Sequence, residues 1–530
     1  MTVSFILLCQ AINLLGVIKL YDKSCERVLP KSNDTFNILI ILSCHSISQK
    51  MPRLSRKIIL PRFILTEVVS DSDIGATKIS ISNTSVGYFV REKTLANKDG
   101  YLSSAWMSSK FNLFPLVLDA TGAPWAEATV YLLSKIEGAI APAMTTYASI
   151  ADDLAAYRRF LDESLVNWTE FPAYKLNRPT YRFNGHLRIA IMAGDIASTT
   201  AKRRMSSVIA FYRWLQSEGL LKPENTPWRE SDHFISIVGA NGFKHSKKIK
   251  STDVSIKISK SVDPFSTVIH DGGKLRPLTH EEQVWVLSAL IALGNTEMTL
   301  IHLFAFLTGA RIQTILTMRV KHLKFNLDAS TSTDVRIPCG PGTSIDTKHN
   351  KQRCLLIPIW FYKLLIDYSI SERAQKRRDL ANTSEIDDQY IFLSIRGAPM
   401  YGSKEDASDF DEKNNIRHAK TGQGVRQFIY ERVLPFIRNK YNQNFNYHFH
   451  DTRASFGMNL ADEQLDLVSK GKVTLHQCRE YLMARLWHES SVTTDLYIRY
   501  RCNQAFARAI GEKYDSHLKK LIDSTMTTPL

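Results

Sequence analysis

The stretch Leu486-Trp-His-Glu-Ser-Ser-Val-Thr-Thr-Asp-Leu-Tyr-Ile-Arg-Tyr500 decides how this chain is read, because Tyr497 stands nine residues after His488. Ser490 or Ser491 can cap a helix, Asp495 suits its first turn, and Val492 with Leu496 supplies an apolar side. Tyr497 then lies about one turn into that helix. One uninterrupted helix would hold His488 and Tyr497 roughly 13 Å apart, whereas a bend at the serines brings the two side chains together. A tyrosine is most often a packing residue, and the chain has 20 of them. Tyr500, one turn further on, competes for any special role. The case for Tyr497 therefore rests on stretches elsewhere in the sequence.

Three such stretches lie upstream. In "LTGARIQTILTMRV" (307–320), Gly309 can end one helix and Arg311 can start the next, with Ile312, Ile315, Leu316 and Val320 as the buried stripe. Arg311 is rotated off that stripe, and its planar fork suits two oxygens of one phosphate, although a helix-start arginine is more often simply exposed. In "TSIDTKHNKQRCLLIPI" (343–359), a polar turn at His349-Asn350 sits between Lys348 and a strand-like run, as in a β-hairpin with lysines near its tip. Such lysines are usually only solvated, yet a mobile ammonium is also suited to protonating a leaving alkoxide. In "YHFHDTRASFGMNL" (447–460), His450 and Arg453 share a helical face. The same His-x-x-Arg spacing recurs at His476 and Arg479; the aromatic flanks Phe449 and Phe456 favour the first copy.

The rest of the chain supplies the setting. At 530 residues, 44% hydrophobic and 23% charged, it has room for two to four domains, and disorder is not expected. Lysine plus arginine outnumber acidic residues 68 to 52, a net +16 that points to a polyanion, either nucleic acid or an anionic membrane. No helix is basic on one face and rich in Trp and Phe on the other, which argues against the membrane. The seven cysteines are scattered without a C-x-x-C, as in a reduced cytoplasmic protein. The apolar Ser4–Leu20 run has no basic flank or cleavage site and is broken by Gln10 and Asn13, so it is read as neither signal peptide nor membrane span.

Residues 1–120 are a region of uncertain role, strand-rich from 51, and 1–50 has an alternative reading as an extension upstream of a start at Met51. Residues 121–228 read as a helical domain, with Ile150, Leu154, Tyr157 and Leu161 on one stripe and Met205, Val208, Ile209, Tyr212 and Leu215 on another. Lys202, Arg203 and Arg204 are placed in the first turn of the second of these helices, where cations oppose the helix dipole. A phosphate backbone would explain them, and so would a merely solvated end. Residues 229–274 read as a basic linker carrying Lys247 and Lys248, with one short strand at Val254, Ile256 and Ile258. Thr279 and Glu282 form a capping box that opens the last domain, 275–530, in which 403–415 reads as an exposed acidic loop.

Taken in order, the four stretches resemble the tyrosine recombinases, or phage-type integrases. The resemblance covers 276 to about 515 well and 121–228 more loosely, as the family's helical core-binding (SAM-like) domain. Its pattern of Arg, hairpin Lys, His-x-x-Arg, His and Tyr falls on Arg311, Lys348, His450, Arg453, His488 and Tyr497, and "HESSVTTDLY" is close to the family's final motif. Three departures stand out. Thr314 occupies a position that is commonly Glu or Asp, Trp487 replaces a usual Gly, and the Arg453–His488 gap is long enough for an insertion at about 461–478.

The resemblance implies a mostly α fold with a small β-sheet (α+β) in the catalytic domain, two domains clamping duplex DNA, and site-specific cleavage and rejoining through a 3′-phosphotyrosyl link. In that chemistry Tyr497 is the nucleophile, Arg311 and Arg453 hold the non-bridging oxygens with His488, His450 takes the tyrosine proton and Lys348 protonates the leaving 5′-oxygen. The basic residues Lys202, Arg203, Arg204, Lys247 and Lys248 are the candidate DNA contacts. No cofactor or metal is implied. The implied partners are double-stranded attachment sites, three further copies of the chain in a tetramer, and accessory DNA-bending or directionality proteins, in the cytoplasm. A C-terminal helix over about 503–521, with Phe506, Ile510, Leu518 and Leu521 on its apolar side, would dock on a neighbour or in cis. Two rival readings remain: a type IB topoisomerase, and a DNA-binding protein of recombinase descent that no longer cleaves.

Overall fold

A computed structural model describes residues 56–64, 110–136, 139, 142–238, 244–258, 267–324, 333–381, 385–411 and 416–526, together with the backbone of short strands at Asn37–Leu39, Thr66–Val69, Thr77–Ser80, Gly87–Arg91, Thr94–Ala96 and Leu102–Ser104. The Ser4–Leu20 run lies outside the described residues. Among those described, no helix is long and apolar enough to cross a membrane. The chain divides into two units, residues 1–259 with 404–419, and residues 260–403 with 420–530.

In the first unit, strands β1 (Lys57–Ile64) and β2 (Lys110–Val117) pair antiparallel, Leu60 opposite Phe114. Phe111 through Val117 are all buried, because β2 is covered on both faces. Helices α1 (Ala126–Ile136), α2 (Met144–Glu163), α3 (Pro179–Met192) and α4 (Ser198–Ser217) complete this core. The expected stripes on α2 and α4 are buried save for Ile150, which is partly so, and at their centre the Tyr157 and Tyr212 hydroxyls meet at 2.6 Å. The Tyr212 hydroxyl in turn donates to the Trp168 carbonyl, so neither buried phenol is left without a partner.

Three local expectations change in this unit. Residues 229–258 do not run as a plain linker: β3 (Glu230–Val238) and β4 (Lys244–Thr252) pair along their whole length as an antiparallel ribbon. The strand expected at 254–258 is absent. Val254 and Ile256 alternate because both insert into the first unit's core, but the Val254 carbonyl accepts from Asn184 rather than from a neighbouring strand. The acidic stretch after Ser403 begins as a short helix, Lys404–Ser408, and belongs to the first unit. There the buried Asn112 amide donates to the Ala407 carbonyl at 3.1 Å and accepts from the Asp411 N–H at 3.0 Å. Acidic composition alone says nothing about such backbone partners.

The second unit opens with a two-residue-per-strand hairpin, β5 (Ile269–His270) and β6 (Lys274–Leu275), turning at Asp271-Gly272-Gly273. Helix α5 (His280–Ala292) follows with the expected capping box, then α6 (Thr296–Thr308), closed by Gly309 in the left-handed conformation. A short α7 (Ile312–Leu316) leads to the hairpin β7 (Asp334–Cys339) and β8 (Arg353–Pro358), on which α8 (Ile359–Ile370) packs. The C-terminal part is helical: α9 (Asp451–Ser469), α10 (Leu475–Leu486) and α11 (Ser491–Met526). The expected separate C-terminal helix is the far end of α11, which runs 36 residues without a break. Leu518 and Leu521 on it are exposed rather than buried, and the side chains of Phe506 and Ile510 lie outside the described residues. The mostly α architecture with small sheets matches the expected fold class.

The larger core of this unit contains a neutral histidine. On α6, His302 is fully buried, its Nδ1 donating to the Met298 carbonyl at 2.7 Å and its Nε2 accepting from the Tyr447 hydroxyl at 3.2 Å. Burial without a carboxylate partner pushes its pKa down to about 4 from 6.5. The folded state thus binds its proton less readily than the unfolded chain, so stability is full above about pH 6.5 and falls as the pH drops toward 4. Between pH 7 and pH 5 wild type should lose about 1–2 kcal/mol more unfolding free energy than His302→Gln. Urea unfolding of both proteins at the two pH values measures it.

Candidate active site

Arg453 sits in the first turn of α9, between two apolar clusters. Phe449, just before the helix, packs into the larger core, and Phe456, one turn on, packs into a smaller one with Cys478, Leu482, Leu486 and Tyr497. The guanidinium passes between them and is 1% exposed. Its Nη1 donates to the Gly309 carbonyl at 2.7 Å and its Nη2 to the Leu486 carbonyl, so one side chain satisfies the C-terminal ends of both α6 and α10. Its Nε donates to Asp271 Oδ2 at 2.8 Å.

Asp271, at the tip of the β5/β6 hairpin, is the residue that sequence reasoning missed. Its Oδ2 also accepts from His488 Nε2 and from the Tyr497 hydroxyl, each at 3.1 Å, and its Oδ1 lies 3.6 Å from Arg311 Nη2. Only the turn signature Asp-Gly-Gly marked the position in the sequence. Burial opposes the carboxylate's charge, but the bonds from His488 and Arg453 outweigh it and hold the group well below the usual carboxylate range.

The remaining candidates surround this carboxylate. Arg311 caps α7 in extended backbone, off the Ile315 and Leu316 side as expected, although Ile312 is only half buried and Val320 falls in the next turn. Burial and the nearby Arg453 charge lower the Arg311 pKa to about 10, so it stays cationic at neutral pH. Lys348 lies in the turn connecting β7 to β8, followed by His349 and Asn350, both at positive φ. Its ammonium stands 3.0 Å from where a Cβ on Gly272 would sit. His450 precedes α9, and burial together with the Arg453 and Arg311 charges lowers its pKa to about 4, leaving it neutral at pH 7. The second His-x-x-Arg copy is elsewhere: His476 is exposed on α10 and Arg479 pairs with Asp495 at 2.7 Å.

The bend expected between His488 and Tyr497 is present, and its cause is visible. Trp487 ends α10 with φ +56, the left-handed region that favours glycine. Its indole donates to the Cys354 carbonyl on β8 at 3.1 Å, and Glu489 pairs with Lys351 and Arg353, fixing the turn against the hairpin. His488 Nε2 faces a carboxylate and therefore carries the proton, while Nδ1 accepts from the Thr494 hydroxyl at 3.0 Å. The His488 and Tyr497 rings lie 5.6 Å apart. Tyr497 is fully buried on α11, and burial followed by the Asp271 charge raises its pKa well above 10. Val492, expected on the apolar side, is 68% exposed; the buried face instead runs through Thr494 and Tyr497. Tyr500 is half-buried and its hydroxyl donates to the Thr267 carbonyl at 3.3 Å.

The basic residues expected to meet DNA are in the first unit. Lys202, Arg203 and Arg204 occupy the second turn of α4 rather than its first. Arg203 is tied to the buried Asp153 at 3.1 Å and to the Ser149 carbonyl, whereas Lys202 is exposed. Lys248 on β4 pairs with Asp232 at 2.7 Å across the ribbon, and the side chain of Lys247 is outside the described residues. Thr314, at the position expected to be acidic, is buried and donates to the Asp346 carbonyl at 2.9 Å.

Gly457, on the α9 face that meets Tyr497, sets how closely the helices approach. A Cβ there would sit 2.5 Å from Tyr497 Cε1 and 3.2 Å from Leu486 Cδ1. Gly457→Ala should therefore destabilise the protein by about 1–3 kcal/mol, against the gain of up to about 1 kcal/mol that alanine brings to an open helix position. Chemical denaturation reads the sign directly.

No protein-family model matches the chain, and no curated protein matches it in sequence. Among solved structures, it is similar to the XerH site-specific recombinase bound to palindromic difH substrate, with 14% identity over 72% of this chain and 88% of that one, and a TM-score of 0.41. The Tn1549 transposon integrase in complex with circular intermediate DNA gives 14% identity, 70% and 94% coverage, and a TM-score of 0.38. A lambda integrase dimer bound to a COC′ core site gives 13%, 70% and 94%, and 0.38. These three solved structures are a site-specific recombinase and two integrases, each at 13–14% identity.

Proposed function

We propose that the chain is a tyrosine-type site-specific DNA recombinase. The observation that carries this reading is the convergence of Arg311, Arg453, His488 and Tyr497 on one oxyanion position, with Lys348 and the neutral His450 close by. At that position Asp271 presents the oxygens that a phosphodiester would otherwise present. A phosphodiester anion repels nucleophiles, and charge builds on its non-bridging oxygens as a fifth ligand adds. Two guanidinium groups and an imidazole N–H neutralise that charge without a metal.

The tyrosine oxygen attacks phosphorus, its proton passing to neutral His450. The bond to the 5′-oxygen breaks, Lys348 protonates that oxygen, and a 3′-phosphotyrosyl link remains. Attack by another strand's 5′-hydroxyl reverses these steps and exchanges the strands. Duplex attachment sites are the substrate, Lys202 and the β3/β4 ribbon are backbone contacts in the first unit, and the active assembly is a tetramer in the cytoplasm serving integration or excision of a mobile element.

A nicked duplex carrying the cognate site should trap wild type covalently. Tyr497→Phe should abolish the trapped species on a denaturing gel, and Tyr500→Phe should retain it. Trapping that survives Tyr497→Phe but not Tyr500→Phe would move the nucleophile to Tyr500; absence of trapping by wild type on a verified site would favour a protein that binds without cleaving.

A further inference from the structure

The site holds an anion for which the chemistry above has no use. Asp271 Oδ2 takes hydrogen bonds from Arg453, His488 and Tyr497, while Oδ1 faces Arg311 at 3.6 Å. These are the groups that would bind a phosphodiester, and a carboxylate offers them a matching charge and a similar pair of oxygens. The two anions exclude each other. A phosphate oxygen within reach of both Arg453 Nε and His488 Nε2 would occupy the place of Oδ2, and like charges so juxtaposed repel each other. With the carboxylate in place, the Tyr497 hydroxyl also points its proton at Asp271 instead of its oxygen at phosphorus.

The carrier of this carboxylate is a short hairpin held at its two strands by the buried Ile269 and Leu275, with only its tip over the clamp. The hairpin has two residues per strand, too little ladder to be stable by itself. The tip residues after Asp271 are both glycines, Gly272 at φ +69, and the Lys348 ammonium rests over Gly272. Among the described residues, the hydrogen bonds and ion pairs of the Asp271 side chain go to Arg311, Arg453, His488 and Tyr497.

We propose that Asp271 is an internal stand-in for the scissile phosphate, filling the clamp of Arg311, Arg453 and His488 in the DNA-free protein and leaving it, with the hairpin tip, when a DNA phosphate enters. This rests on the reading of that clamp as the phosphate site. Because the carboxylate is tethered, it competes at high effective concentration, so weakly held DNA leaves the nucleophile covered. Binding energy gathered elsewhere on the duplex opens the site.

The test uses the full chain with inorganic phosphate and a labelled duplex of arbitrary sequence. Asp271→Asn keeps the shape and removes the charge; it should bind phosphate about tenfold or more tighter than wild type, and the duplex tighter at equal salt. In wild type, saturating phosphate should speed amide exchange across residues 268–275. Unchanged phosphate affinity in Asp271→Asn, or slower exchange of that hairpin with phosphate, would make Asp271 a fixed positioning residue and overturn the proposal. Should Asp271→Asn fail to fold, the wild-type exchange measurement decides alone. Failure of the recombinase reading shows differently: no covalent trapping on a cognate nicked duplex, whatever phosphate does at Asp271.

Discussion

The Arg453–Asp271 pair is the contact on which the second unit's site depends. A guanidinium buried to 1% exposure is tolerable only if each face of it is paired, and this one is, by a carboxylate and by two helix-terminal carbonyls. The same three bonds define the site. They place the end of α6 next to Arg311, the end of α10 next to His488, and the β5/β6 tip between them. Removing one partner of such a buried pair typically costs about 3–5 kcal/mol, so the arrangement that attracts an oxyanion also holds the helices at their angles.

Much of this was legible in the sequence because several demands coincide in short stretches. Gly309 had to end a helix for Arg311 to begin another, and the aromatic flanks of His450 and Arg453 had to be buried for that pair to point inward. Those local requirements carry the spacing pattern, and the structure meets them. The decoy at His476 and Arg479 shows what spacing alone is worth: the same interval on a helix with an exposed face gives a surface ion pair. Asp271 was not legible because its partners lie from 40 to 226 residues away in sequence, and no local pattern distinguishes a turn aspartate in water from one inserted into a cationic pocket. The β3/β4 ribbon was missed for a related reason. Strand β4 (KHSKKIKST) carries a single apolar residue, Ile249, so it shows none of the apolar alternation by which a partner for β3 would be recognised.

Trp487 illustrates how one unfavourable local choice is carried by its surroundings. A left-handed non-glycine residue costs roughly 1–2 kcal/mol, and the sequence gives no hint of what offsets it. The indole bond to Cys354 and the Glu489 pairs with Lys351 and Arg353 supply the offset. They also attach the His488 turn to the hairpin that bears Lys348, so these two side chains are fixed through one short segment.

The electrostatics of the resting site follow from the same geometry. Burial first, and then the Arg453 and Arg311 charges, hold His450 neutral and lower the proton affinity of His488, with the Lys348 ammonium adding its field at His450. A site of such excess positive charge, in a fold that buries it, requires a counter-anion to be stable before substrate arrives. Tyr497 shares that anion: its hydroxyl is Asp271's third donor, and burial with the adjacent carboxylate keeps it protonated. The Tyr497 hydroxyl is therefore held protonated while the clamp is filled by the chain itself. On the reading proposed above, a phosphodiester in place of the carboxylate keeps one negative charge beside the tyrosine and the two arginines that lower its pKa, but puts an electrophile where a proton acceptor had been. In this geometry, one carboxylate at one small position sets both the charge balance of the buried arginines and the protonation of Tyr497.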